Sequence, residues 1–235
     1  MRYCSVVVLS LVFWGTAQLG WAADKDTERL ENAAEVMTDI MHAPDKGIPR
    51  DVMDKSVCVG VIPSEKKAAF IFGATYGRGV MVCRRGGNGP WGAPSMFTVG
   101  GANFGLQIGG QATDFVLLVM NARGAEKLLH DNTKIGAGAS AAAGPVGRSA
   151  EGSTDLQMHA EILTYSRARG AFAGVSLDGQ MFKQDEDSNE KLYGRKVAPA
   201  DILFKGAVPA PAAAGPLDTA LTQFSPRGGE PFHPR

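Results

Sequence analysis

Neither sign of charge prevails in this chain. Its 235 residues carry 24 Lys or Arg and 24 Asp or Glu. A global pull toward nucleic acid or toward an anionic surface is therefore excluded, and any anion site must be a local patch. No nucleic-acid partner is expected. Thiols are scarce: there are three cysteines, and no paired CxxC spacing that would support a zinc site. The four histidines are scattered. The H-x-E of His159 to Glu161 lacks the later PCxxC of a zinc deaminase. No GxxxxGK occurs, and the GRG at 77–79 lacks the later glycine of a dinucleotide fingerprint. The GASAA around Ser140 lacks the second glycine of a nucleophile elbow. Nothing supplies a nucleophile with a base and an orienting group, so the expectation is binding without catalysis, cofactor or metal.

Glycine is what the chain has in excess. It accounts for 30 of the 235 residues, well above the usual ~7%. The densest stretch is GAGASAAAGPVGR at 136–148. Composition alone leaves two readings, a flexible linker or a backbone that must come very close to something.

Residues 1–22 read as a secretory leader. A single Arg2 precedes an apolar run, and Gly20 and Ala22 offer small residues for cleavage before the charged DKDTER. An uncleaved anchor is the alternative. Cys4 precedes the apolar run rather than following it, which argues against lipidation. The expected localisation is exported, periplasmic or peripherally attached to an outer membrane. An oxidising compartment permits a disulfide between Cys58 and Cys83. Both lie in apolar, strand-like runs, so two buried thiols are the other reading.

Past the leader the chain predicts an α+β fold. Leu30, Ala33, Ala34, Met37, Ile40 and Met41 recur at helical spacing, with Glu28, Glu31, Glu35, Asp39 and Arg29 on the polar side. That acidic face is repelled by anionic lipid, so the helix is expected to pack on the core. A short helix with Pro49 in its first turn follows. From Val57 onward, runs rich in Val, Ile, Phe and Tyr alternate with turn clusters, which predicts a predominantly antiparallel β core. ARGAEKLLHD and DEDSNEKLYG read as short peripheral helices. The apolar run 99–120 contains Asn103, Gln107, Gln111 and Asp114, so it reads as bent strands rather than a membrane span. The domain is expected over 23–205. Residues 206–235 read as a mobile Pro/Ala-rich extension, with at most a docked turn or two between Leu217 and Phe224.

What remains for function is backbone and arginine. Glycine-rich backbone can present N–H groups to an anion, and guanidinium groups commonly hold phosphate. The candidates are Arg78, Arg84, Arg85, Arg148, Arg167 and Arg169, with Tyr165. Tyr165, Arg167 and Arg169 are two apart and share one face of a strand. A solvated strand face is the alternative.

The motifs IFGATYGRGVMVCR, GPWGAPSMFTVGGANFGLQIGGQATDFVLLVMN, GAGASAAAGPVGR, TYSRARGAFAGVSLDGQMF and NEKLYGR stand in the order and spacing of the SYLF domain family. The chain resembles that family from about Ala33 to Lys205. The resemblance implies a lipid-binding module, since eukaryotic members bind phosphoinositides and some bind actin filaments beside an SH3 domain. No SH3 segment is expected here, and an exported protein does not meet actin. The implied function is non-enzymatic binding of anionic phospholipid or a membrane surface. The alternative is a structural or interaction module with an envelope protein partner. The resemblance also implies that GASAAAGPVGR belongs to the fold rather than to a linker.

Overall fold

A computed structural model describes residues 25–43, 47–64, 74–102, 113–130, 132–147, 159–168 and 171–226. The leader segment, Arg148 and Arg169 lie outside them. The strands are β1 (Cys58–Ile62), β2 (Ala74–Cys83), β3 (Ser95–Ala102), β4 (Thr113–Val119), β5 (Thr133–Lys134), β6 (Ala141–Ala143), β7 (Ile162–Ala168), β8 (Ala171–Gly174) and β9 (Met181–Gln184). They form one nine-stranded sheet in the order β5-β9-β3-β2-β1-β4-β7-β6, with β8 also paired to β7. Every pairing is antiparallel except β6 on β7. The fold is α+β, as the sequence predicts. The described parts of the apolar run 99–120 are strands, and no described helix is long and apolar enough to cross a membrane.

The central strands are buried on both faces, which is why they read as nearly continuous apolar runs. Alternation sends Val59, Val61, Val80, Val82, Val116, Leu118 and Tyr165 to one face. Helix α1 (Lys25–Met41) covers it with Leu30, Ala33, Met37 and Ile40. Met81, Cys83, Phe97, Leu117, Val119 and Phe182 point to the other face. There α3 (Ala122–Leu129) contributes Ala125 and Leu128. Cys58 and Cys83 are register partners on β1 and β2, and a disulfide joins them. The other α-helices whose bounds lie within the described residues are α2 (Arg50–Lys55), α4 (Glu186–Tyr193), α5 (Pro199–Leu203) and α6 (Gly215–Phe224).

The glycine-rich stretch 136–147 is built into the sheet. Ala139 and Ala142 are buried, and β6 lies along β7. A Cβ on Gly144 would stand 2.0 Å from the Tyr165 ring, and one on Gly174 would stand 2.1 Å from the Gly144 carbonyl oxygen. Only glycine lets the two backbones close over that ring.

Within residues 206–226, the docked turns expected between Leu217 and Phe224 belong to one packed helix, α6. Leu217, Ala220, Leu221 and Phe224 are buried at helical spacing on α6. They pack with α1 in the same core, and Phe224 meets the His42 ring edge-on at 5.0 Å. The stripe spans about two turns, enough apolar surface to outweigh the Pro/Ala-rich approach. Helix α1 is thus held between the sheet and α6.

Candidate functional site

Arg84 follows β2 and is almost wholly buried, at 1% exposure. Its Nε donates to the Ser56 carbonyl at 3.0 Å, and an Nη donates to the Ser225 carbonyl at 3.2 Å and to the Ser225 hydroxyl. The guanidinium lies 3.9 Å from the Trp91 ring centre, while Trp91 Nε1 donates to the Ser225 carbonyl at 3.1 Å. The Ser225 hydroxyl donates to Asp54. Burial lowers the Arg84 pKa to about 10, against the attraction of Asp54. Arg84 stays charged at neutral pH, and its donors are spent on fastening the end of α6 to the sheet.

Arg78 on β2 faces the start of α1 and the N-cap of α4. It lies 3.4 Å from Asp185, 3.8 Å from Asp26 and 3.0 Å from the Ser188 hydroxyl. Arg29 joins this group at 2.9 Å from Asp26 and 3.6 Å from Asp185. Arg29 is therefore buried with Asp26 and is not part of the solvated face of α1, while Glu28, Glu31, Glu35 and Asp39 are exposed as the spacing predicts. Burial pushes the Asp185 carboxyl up, but hydrogen bonds from Ser188 and the two arginines hold it below its ordinary value.

Arg167 and Tyr165 do share a face of β7, and that face is the one α1 covers. Arg167 pairs with Asp39 of α1 and with Asp114 of β4 at 2.8 Å. The remaining Asp114 oxygen accepts the Ser64 N–H and hydroxyl, both at 2.8 Å. Burial works against the Arg167 charge, and the two carboxylates more than offset it, raising its pKa. The Tyr165 ring stacks on Phe172 at 5.3 Å, and its buried hydroxyl has no hydrogen-bond partner among the described residues. The structure therefore does not gather the candidate arginines into one patch. Arg78, Arg84 and Arg167 sit in three separate, internally compensated settings.

Arg85 is different. It is exposed, in the turn after β2, and none of the described carboxylates pairs with it. The turn borders a cleft of about 340 Å³ where β1 begins and β2 ends. Val57, Gly86, Gly87, Ala122, Ala125 and Phe204 form its almost wholly apolar walls, and Arg84, Glu126 and Lys205 complete the lining. Arg123, next to Ala122, is exposed and likewise unpaired among the described residues. Lys205, 73% exposed, reaches Asp201 at 2.7 Å. A solvated pair of that kind contributes little, so its cation remains open to a ligand. Short residues make the hollow: a Cβ at Gly86 would meet nothing within 4 Å.

Sequence reasoning found Arg85 but not Arg123, Lys205 or the apolar walls. The only available signals were an exposed arginine in the first turn of α3 and a lysine ending the ILFK run. Nothing in the spacing links segments so far apart. Among the described residues no group of three His, Cys, Asp or Glu could hold a metal ion.

A family model described as "Las17-binding protein actin regulator", Ysc84, matches residues 100–224. The chain belongs to the Ysc84, or SYLF, family. The match reaches the end of α6, in keeping with that helix being part of the packed unit. The chain is 36% identical over 185 residues to the human SH3 domain-containing YSC84-like protein 1, covering 78% of this chain and 53% of that protein. It is 39% identical over 165 residues to an SH3 domain-containing protein of Schizosaccharomyces pombe, covering 68% and 38%. LAS seventeen-binding protein 3 of Saccharomyces cerevisiae is 34% identical over 181 residues, covering 75% and 39%. The chain thus spans about half the length, or less, of these relatives.

Proposed function

We propose that this protein binds anionic phospholipid without performing chemistry, at the cleft between α3 and α5. The observation that carries this reading is an apolar hollow with Lys205 on its lining and the exposed Arg85 and Arg123 next in the chain to its lining residues Gly86 and Ala122. In a chain with no net charge, only such a patch can attract phosphate. The arginines engaged by Asp26, Asp39, Asp54, Asp114 and Asp185 would have to break internal pairs to do the same. Exposed guanidinium groups suit phosphate, and the apolar walls suit hydrocarbon. The leader-like N-terminal sequence favours an exported protein acting at an envelope membrane. Cosedimentation with phosphatidylglycerol or cardiolipin vesicles, against phosphatidylcholine vesicles, tests the reading. Equal binding to all three sinks it.

The names of the relatives favour a second reading, a protein-interaction module, since one is called Las17-binding and the family is described as an actin regulator. Cosedimentation with actin filaments in the absence of lipid separates the two readings. The lipid reading expects the protein to stay in the supernatant.

A further inference from the structure

We infer that the cleft between α3 and α5 is a site for one free, single-chain lipid acid, a medium-chain fatty acid, with its chain inside and its carboxylate at the mouth. The inference rests on the lipid reading of this same cleft and narrows its ligand.

Three observations carry it. The walls are hydrocarbon or bare backbone, from Val57, Gly86, Gly87, Ala122, Ala125 and Phe204. They offer a ligand contact area but almost no hydrogen bonds, which selects an alkyl chain over a sugar, nucleotide or peptide. Next, the volume of about 340 Å³ is near the lower end of the roughly 300–1,000 Å³ of small-ligand sites. That is room for one alkyl chain, so the second chain of a bilayer phospholipid would have to stay outside. Finally, Lys205 and Glu126 line the cleft, Asp201 pairs with Lys205, and the exposed Arg85 and Arg123 stand next in the chain to the lining residues Gly86 and Ala122. Three cations and two carboxylates leave one positive charge, the complement of a monoanion. An uncharged alcohol of the same chain length would leave that charge unanswered.

Isothermal titration of the purified chain with dodecanoate, below the concentration at which it forms micelles, tests the inference. One equivalent should bind. Dodecanol should bind at least ten-fold more weakly, and hexanoate should bind more weakly still for want of chain. Ala122→Phe grows a ring into the cleft from a half-buried position and should lower dodecanoate affinity at least ten-fold. Glu126→Gln changes an exposed side chain only and should tighten binding several-fold, so the test stands even if Ala122→Phe folds poorly. The inference is overturned if dodecanol binds as well as dodecanoate, or if neither substitution moves the affinity. Vesicle binding separates it from the broader reading. Vesicle binding without dodecanoate binding defeats the fatty-acid site alone. Dodecanoate binding without vesicle binding upholds this site and defeats phospholipid binding.

Discussion

Arg84 lies with its guanidinium 3.9 Å from the centre of the Trp91 ring, and both side chains donate to Ser225 at the end of α6. Two residues of the connection between β2 and β3 thereby hold the last described helix against α1. Arg84→Ala should lower stability by at least about 3 kcal/mol, the scale for removing one member of a buried charged network. Arg84→Lys should recover little, because an ammonium cannot stack on the indole while donating to Ser56 and Ser225. Thermal unfolding of the two variants checks this. Near wild-type melting of either one would show that the cluster is not a clamp.

A chain ending at residue 205 should be destabilised rather than merely trimmed. It loses Leu217, Leu221 and Phe224, each worth about 1.5–3 kcal/mol when fully buried, and bares the outer side of α1. Limited proteolysis of the intact chain should leave 215–224 uncut under mild conditions. Early cleavage there would restore the mobile extension that the composition suggests.

Arg167→Ala should lower stability and leave vesicle binding unchanged. Its guanidinium is committed to Asp114 and Asp39, and Asp114 would be left nearly buried with only Ser64 for company. Melting and cosedimentation measured on the same preparation separate the two effects. Loss of vesicle binding by a stable Arg167→Ala protein would return the phosphate site to β7.

Tyr165→Phe should be neutral or mildly stabilising, because the hydroxyl it removes is buried and has no partner among the described residues. Gly144→Ala should cost about 1–3 kcal/mol or more, since its methyl would be driven into the Tyr165 ring. The opposite order of effects in denaturant titrations would mean that the ring's surroundings are misjudged.

Acid should weaken the fold through Asp185. Its folded pKa is held below the ordinary carboxylate value, so its contribution is complete above about pH 4. It is lost as pH falls through the lowered value. Glu161, held down by Lys127 and Ser140 against its burial, acts in the same direction. Asp185→Asn should start less stable at neutral pH and lose less on acidification. Parallel pH profiles for the variant and the wild type would remove Asp185 from the explanation.

Much of the scaffold was legible because it rests on local periodicity. The apolar spacing of α1, the turn clusters between strands and the helices around Leu128 and Asn189 all follow from neighbours in the chain. The arginines were harder because their partners are remote. Arg167 meets a carboxylate 53 positions away, and Arg84 meets Ser225 across 141. No pattern in a single sequence distinguishes a guanidinium awaiting phosphate from one already answered by a distant aspartate. The cleft was hidden for a related reason. It is made by short side chains from segments around residues 57, 86, 122 and 204, and an absence of volume leaves no motif.

The most direct test is cosedimentation of the Arg85→Gln, Arg123→Gln double variant with phosphatidylglycerol vesicles. Both residues are exposed, so folding should be unaffected, and binding should fall several-fold or more. The residual binding should weaken further with salt, because exposed charges are screened over about 10 Å at 0.1 M. Undiminished binding by the folded double variant would contradict a head-group site at the cleft.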